Sequence, residues 1–300
     1  MLSIANHPIY HHPLPEGHRF PMEKYSLLPQ QLMREGTCTQ ENFFEPSPLS
    51  ETEILKVHTQ EYWNKLAKNN LSRQEERKTG FPLSTELVQR EITIAGGTVE
   101  NTFRALKDGI SMNIAGGTHH AFTDRGEGFC LLNDIALGCS AFLQQYPKGQ
   151  VLVVDLDVHQ GNGTAQIFEK EDRVFTFSMH GGNNYPLHKE KSDRDVPLPD
   201  GISTRDYLLL LDQHLPEIIE KTEPDFIYYQ AGVDILSTDK LGRLGVSLEG
   251  CKKRDQMVLS RCKENEIPLA VSMGGGYSPD LRDILEAHSN TFRTAQHLFF

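Results

Sequence analysis

Val151-Leu-Val-Val-Asp-Leu-Asp-Val-His-Gln-Gly-Asn-Gly163 begins as an unbroken apolar run and ends in carboxylates, an imidazole and glycines. An apolar run without polar alternation is what a strand covered on both faces requires. The pattern recurs along the chain. Short runs rich in β-branched residues over 111–115, 174–178, 226–230 and 269–272 alternate with amphipathic stretches over 133–145, 163–168, 204–221 and 247–265. Ser278 with Pro279 at the first turn opens a last helix. This alternation predicts an α/β fold: a single open, mainly parallel sheet with helices on both faces. No Pro/Gly/Ser linker divides the chain, so residues 1–300 are expected to form one domain.

Upstream of this region the signals are weaker. Residues 1–45 are rich in His and Pro and read as loops wrapped on the surface or rimming a site. Ser50-x-x-Glu53 is a capping box, and Ile54, Leu55, His58, Tyr62 and Leu66 follow at helical spacing. The charged segment 72–78 reads as an exposed loop, after which Ser84 caps a long helix ending at Gly109.

Composition narrows the function classes. The chain carries a formal net charge of −11, which argues against a nucleic-acid partner gripped by a basic surface. No apolar run approaches the ~20 residues of a membrane span, and the first ten residues lack the pattern of a secretory leader. Cys38, Cys130, Cys139, Cys251 and Cys262 contain no C-x-x-C pair and read as reduced thiols, so a cytoplasmic location is expected.

The chemistry gathers at the strand ends, where open parallel sheets place their ligands. These ends read Ala115-Gly-Gly-Thr-His-His120, Asp155-Leu-Asp-Val-His159, Ser178-Met-His180, Gln230-Ala-Gly-Val-Asp234 and Met273-Gly-Gly-Gly-Tyr277. Taken alone, Asp157-Val-His159 is a turn cap beside a surface histidine. With Asp234 from another strand end it becomes a three-ligand oxygen/nitrogen site with an open position, which suits a catalytic zinc. His119 and His120 follow two glycines, and Asp155 and Asn162 could orient the two rings. A carboxylate partner keeps one imidazole protonated. An amide partner leaves the other nearer its free pKa of about 6.5, free to shuttle a proton. Tyr277, after three glycines, could donate its hydroxyl to a developing oxyanion.

In this order the motifs resemble the zinc-dependent histone deacetylase family, within the arginase–deacetylase fold. The blocks that carry the resemblance are Gly116-Gly-Thr-His-His-Ala121, Gly128-Phe-Cys-Leu-Leu-Asn-Asp134 and Asp155–Gly163, with Pro15-Glu-Gly-His-Arg-Phe-Pro-Met22 upstream. The class IV branch and its bacterial relatives are the most similar. The resemblance implies removal of acetyl or longer acyl groups from lysine ε-amines, with zinc held by Asp157, His159 and Asp234. It makes His120 the general base and acid beside Asn162, and His119 its electrostatic partner paired with Asp155. Tyr277 polarises the carbonyl, the Gly128 carbonyl receives the substrate amide, and Phe129 and Tyr185 flank an acyl-lysine tunnel. A structural K⁺ or Na⁺ is implied near Asp155, Ser178 and Met179.

The pattern also departs from the family. Asn162 stands where class I members have Asp, Gln160 where many relatives have a second His, and the rim Asp of several members has no counterpart around Gly80-Phe-Pro82. The expected partner is an acyl-lysine protein or peptide. A small acylated amine such as an acetylpolyamine is the alternative; polyamine-selective relatives carry an acidic gatekeeper where this chain has Leu241, with Asp239 close by. A binuclear ureohydrolase would need further carboxylates around Asp234. An inactive binding protein would be expected to have lost a ligand, a histidine or Tyr277, and this chain keeps them all.

Overall fold

Alternate residues of the central strand point to opposite layers, and both layers are apolar. Val151 and Val153 join the cluster of Ile135, Cys139 and Phe142, whereas Leu152 and Val154 join that of Leu211, Val258 and Ile284. The computed structural model describes residues 1–300. Its strands are β1 (Ser3–Ala5), β2 (Phe43–Phe44), β3 (Ile110–Asn113), β4 (Val151–Asp155), β5 (Val174–Gly181), β6 (Arg194–Leu198), β7 (Phe226–Gln230) and β8 (Leu269–Ser272). They form one eight-stranded sheet in the order β2-β1-β3-β8-β7-β4-β5-β6. Every pairing is parallel, so the sheet is wholly rather than mainly parallel.

The helices are α1 (Lys24–Arg34), α2 (Glu51–Ile54), α3 (Gln60–Ala67), α4 (Arg73–Thr79), α5 (Thr85–Asp108), α6 (Asp134–Gln145), α7 (Asn162–Phe168), α8 (Thr204–Thr222), α9 (Leu248–Glu264) and α10 (Leu281–Phe299). Helices α5 and α6 pack together on one face, and α8, α9, α10 and α1 pack in succession on the other. None is long and apolar enough to cross a membrane.

The N-terminal segment is more ordered than its composition predicts. It supplies β1, α1 and β2, and β1 pairs with both β2 and β3. Strands of three and two residues show no period, and Pro29 interrupts the helical pattern of α1, so neither leaves a readable trace. The single helix expected from the Ser50 cap through Leu66 is split into α2 and α3. The intervening turn is tied down where Thr59 N–H donates to the Thr123 carbonyl at 2.8 Å.

The expected loop 72–78 is instead α4, started by a capping box between Ser72 and Glu75 and ended by Gly80 in the left-handed region. Strand β6 leaves no continuous apolar run in the sequence, because Asp195 and Pro197 break it, which an edge strand tolerates. The last helix is capped by Asp280 rather than Ser278.

The turn after β7 is held from beneath by α9. The fully buried Arg254 donates to the carbonyls of Leu156, Ala231 and Gly232, and its charge is met by Asp255 at 2.9 Å. Asp255 accepts in turn from the Tyr229 and Thr291 hydroxyls. The ends of β4 and β7, which carry Asp157 and Asp234, are thus joined through one guanidinium.

Candidate active site

The loops after β4 and β7 bring Asp157, His159 and Asp234 together. One ligand atom from each lies within 4.8 Å of the others, and all three residues are buried. His159 Nδ1 stands 3.0 Å from Asp157 Oδ1 and 3.1 Å from Asp234 Oδ2. The remaining oxygens are fixed by the backbone: Gly275 N–H donates to Asp157 Oδ2 at 2.8 Å, and Val158 N–H to Asp234 Oδ1 at 2.9 Å. Gly275 is required by closeness alone, since a Cβ there would lie 2.1 Å from Asp234 Oδ2. Burial and the neighbouring Asp157 raise the Asp234 carboxyl to about 7. Burial opposes charge on His159, yet the two carboxylates outweigh it and lift the ring to about 10. Two buried carboxylates facing one imidazole make a cation-seeking cluster.

The histidine pair after β3 sits beside this cluster, with its ring centroids 4.2 Å apart and its partners unequal. His119 Nδ1–H donates to Asp155 Oδ2 at 2.7 Å, and His120 Nδ1–H to Asn162 Oδ1 at 2.6 Å. Burial disfavours a charge on either ring. At His119 the attraction of Asp155 and Asp157 prevails and raises the pKa to about 9. At His120 burial, with His119 and His159 as cationic neighbours, drives the pKa well below the usual histidine value.

The loop carrying this pair is organised by residues that the sequence left without a role. Asp134 accepts from the N–H groups of Gly117 and Thr118 at 3.1 and 2.7 Å and from the Thr98 hydroxyl at 2.6 Å. Gln230 donates to the Gly117 carbonyl at 2.8 Å. Asn133 donates from its amide to Ala121 and Thr164, and its own N–H donates to His58 Nε2 at 3.0 Å. Asp134 closes the Gly128–Asp134 block, but a carboxylate opening a helix reads as a cap until its partners are known.

Above the site lies a cavity of about 770 Å³, lined by Phe129, Tyr185, Leu241 and Tyr277 among others. Tyr185 stands edge-on to His120 at 4.9 Å, and Phe129 lies 5.9 Å from Tyr277. Phe129 is held at φ 68°, a left-handed conformation that costs a non-glycine residue roughly 1–2 kcal/mol. Its N–H and that of Gly128 are satisfied by the carbonyls of Thr79 and Lys78, so the end of α4 fixes the aromatic wall. Phe20 and Phe81 pack on Phe129 from behind, a role the sequence did not suggest for either.

The buried trio, the unequal histidine pair and the aromatic-walled cavity have counterparts among known proteins. The family model for the histone deacetylase domain matches residues 18–292. The chain belongs to the histone deacetylase family. It is 40% identical over 296 residues to an uncharacterized protein of Picosynechococcus, covering 99% of each chain. It is 31% identical to histone deacetylase 2 of Arabidopsis thaliana over 87% of this chain and 70% of that one. Against histone deacetylase RPD3 of Saccharomyces cerevisiae the identity is also 31%, over 87% of this chain and 64% of the yeast protein. In fold it is similar to the crystal structure of an HDAC homolog complexed with SAHA, with a TM-score of 0.85 over 99% of this chain and 84% of that one at 24% identity. An HDAC homolog from Aquifex aeolicus gives a TM-score of 0.82 over 98% of this chain and 84% of that one at 23% identity. This is a deacetylase-class hydrolase on the arginase–deacetylase fold.

Several departures of this histone deacetylase family member acquire physical reasons. Gln160 is fully buried, donating to the Glu190 carbonyl at 2.7 Å and to Asp195 at 2.8 Å while accepting from Glu190 N–H, so it ties the following loop to β6. Asp239 is committed to the backbone. Its oxygens accept from the N–H groups of Leu241, Gly242 and Tyr277 at 2.8, 2.8 and 2.6 Å, so it positions the Tyr277 loop. Asp155 and Ser178 are register partners on β4 and β5, with Met179 next along the strand, and Ser178 Oγ also meets His180 Nδ1 at 2.9 Å.

His58 gives a pH-dependent stability that can be measured. Its Nδ1–H donates to the Phe122 carbonyl at 3.0 Å while Nε2 accepts from Asn133, which fixes the neutral ring. Burial lowers its pKa to about 4. The unfolded chain takes up the proton near the free value of about 6.5, so the stabilisation is complete above that pH and is lost as the pH falls toward 4. Between pH 7 and pH 5 this contribution amounts to about 2 kcal/mol. Urea unfolding of the wild type and of His58→Gln should differ by that pH-dependent amount. Parallel pH profiles would show that the ring is already charged in the fold.

Proposed function

We propose that residues 1–300 form one catalytic domain that removes acetyl or longer acyl groups from lysine ε-amines, with zinc held by Asp157, His159 and Asp234. The observation that carries this reading is the buried oxygen/nitrogen trio set beside two histidines with unequal partners. The donor set fits the ion: two carboxylate oxygens and one imidazole nitrogen converge, no thiolate takes part, and the outer carboxylate oxygens are pinned by Gly275 and Val158. When bound, zinc activates water and polarises the acyl carbonyl.

The remaining steps belong to the chain. His120, with Nδ1–H committed to Asn162, offers Nε2 to take a proton from the attacking water and to return it to the leaving amine. His119, kept cationic by Asp155, stabilises the negative charge that develops. The Tyr277 hydroxyl stays protonated, because burial and the carboxylates of Asp157 and Asp234 raise its pKa, and it donates to the carbonyl oxygen. The Gly128 carbonyl receives the substrate amide N–H, and Phe129, Tyr185 and Leu241 line the passage for the alkyl chain. A K⁺ or Na⁺ near Asp155, Ser178 and Met179 would brace β4 against β5. A cytoplasmic location suits an enzyme whose five cysteines are buried and free.

The test is a panel of acetyl- and longer acyl-lysine peptides with acetylated spermidine alongside, assayed before chelation, after it and after reloading with zinc. Peptide turnover should vanish on chelation and return with one equivalent of zinc. Turnover that survives metal removal would overturn the reading. A requirement for two equivalents would move it to the binuclear branch of the fold.

A further inference from the structure

The mouth of the cavity is cationic on an acidic protein. Five Lys and Arg side chains line it (Arg19, Arg77, Lys78, Arg125 and Arg243) against two carboxylates, Glu127 and Glu190, whereas the whole chain carries −11. The pairing sharpens the imbalance. Glu127 is already engaged, accepting from Arg125 at 3.0 Å and from the Tyr185 hydroxyl at 2.6 Å, and Arg243 faces Asp200 at 3.3 Å. Arg19, Arg77 and Lys78 are exposed and take part in no ion pair.

These three free cations come from two separate segments. Arg77 and Lys78 occupy the last turn of α4, the segment whose carbonyls hold Gly128 and Phe129, and Arg19 lies over the Phe129 ring at 5.0 Å. Complementing the helix dipole would account for the α4 pair but not for Arg19. The rim at Gly80 that lacks an aspartate therefore presents the opposite charge.

Resting on the deacylase reading, we infer that the preferred substrate is an acyl-lysine flanked by Asp and Glu residues. Acylation removes the lysine's own charge, so the electrostatic match at the mouth is set entirely by what surrounds it. An acidic flank is attracted to Arg19, Arg77 and Lys78. A basic flank is repelled by them, and so is an acylated polyamine, which keeps its other ammonium groups.

Three acetyl-lysine peptides of equal length with Glu, Gln or Lys flanks, plus acetylated spermidine, test this on the zinc-loaded full chain. At low ionic strength the Glu peptide should exceed the Gln peptide about tenfold or more in kcat/KM, with the Lys peptide and the polyamine below both. Near 1 M salt, where the Debye length is about 3 Å, the Glu:Gln ratio should fall toward one. In the double variant Arg77→Glu/Lys78→Glu the ratio should fall at low salt too. Turnover of the Gln peptide without an acidic preference, or a preference that ignores salt, would overturn this inference alone. Failure to turn over any peptide would overturn the deacylase reading beneath it.

Discussion

His120→Ala is expected to lower kcat on an acyl-lysine peptide by about 10²–10⁴-fold, the range in which a positioned general acid–base acts. His119→Ala should cost less. The two residues are adjacent in sequence and their ring centroids lie 4.2 Å apart, so the inequality comes from their partners: a carboxylate for His119, an amide for His120. Asp155 and Asp157 overcome burial and hold His119 as a cation to about pH 9, which leaves it no lone pair for a proton at neutral pH. His120 is neutral there, because burial and the neighbouring His119 cation suppress the charged form. Loss of His120 removes a proton carrier, whereas loss of His119 removes a fixed charge. Single-turnover rates of both variants with zinc content matched to wild type make the comparison. A greater loss at His119 would reverse the assignment.

Tyr277→Phe should lower kcat by about 10²–10³-fold, equivalent to about 3–4 kcal/mol, while KM changes little. As water adds to the amide carbonyl, negative charge grows on its oxygen, and a donor aimed there gains strength only as that charge appears. The Tyr277 backbone is fixed by its N–H bond to Asp239 at 2.6 Å, and its ring packs against Phe20 and Phe129, so the phenol is held in place before substrate arrives. The Phe variant keeps the ring and its packing, and melting temperature and zinc content should match wild type. A near-normal kcat in a folded, zinc-loaded Tyr277→Phe chain would mean that the oxyanion has another donor.

The same loop shows where sequence reading stops. Tyr277 stood out because three glycines precede it, but Asp239 read as a near miss for an acidic gatekeeper. Its oxygens are taken up by three backbone N–H groups, one of them 38 positions away. Segment 72–78 shows the converse. Its composition matches an exposed loop, yet local capping makes it α4, whose last carbonyls support Gly128 and Phe129 and whose last turn brings Arg77 and Lys78 to the mouth.

The parallel sheet and the identity of the polar strand ends are legible in local sequence. A strand buried on both faces must be apolar throughout, and residues two apart, such as Asp157 and His159, leave the same strand end together. Those are local constraints, written in neighbouring residues. Beyond the trio expected with Asp234, the partnerships across the sheet emerge only in the folded chain: Arg254 joining the ends of β4 and β7, Asp134 organising the histidine loop, and the free cations at the mouth. Each of these depends on distance and on burial. A carboxylate or guanidinium has the same identity in the sequence whether water or a buried partner surrounds it, and its strength as a ligand, a base or a charge is set by which of the two it meets.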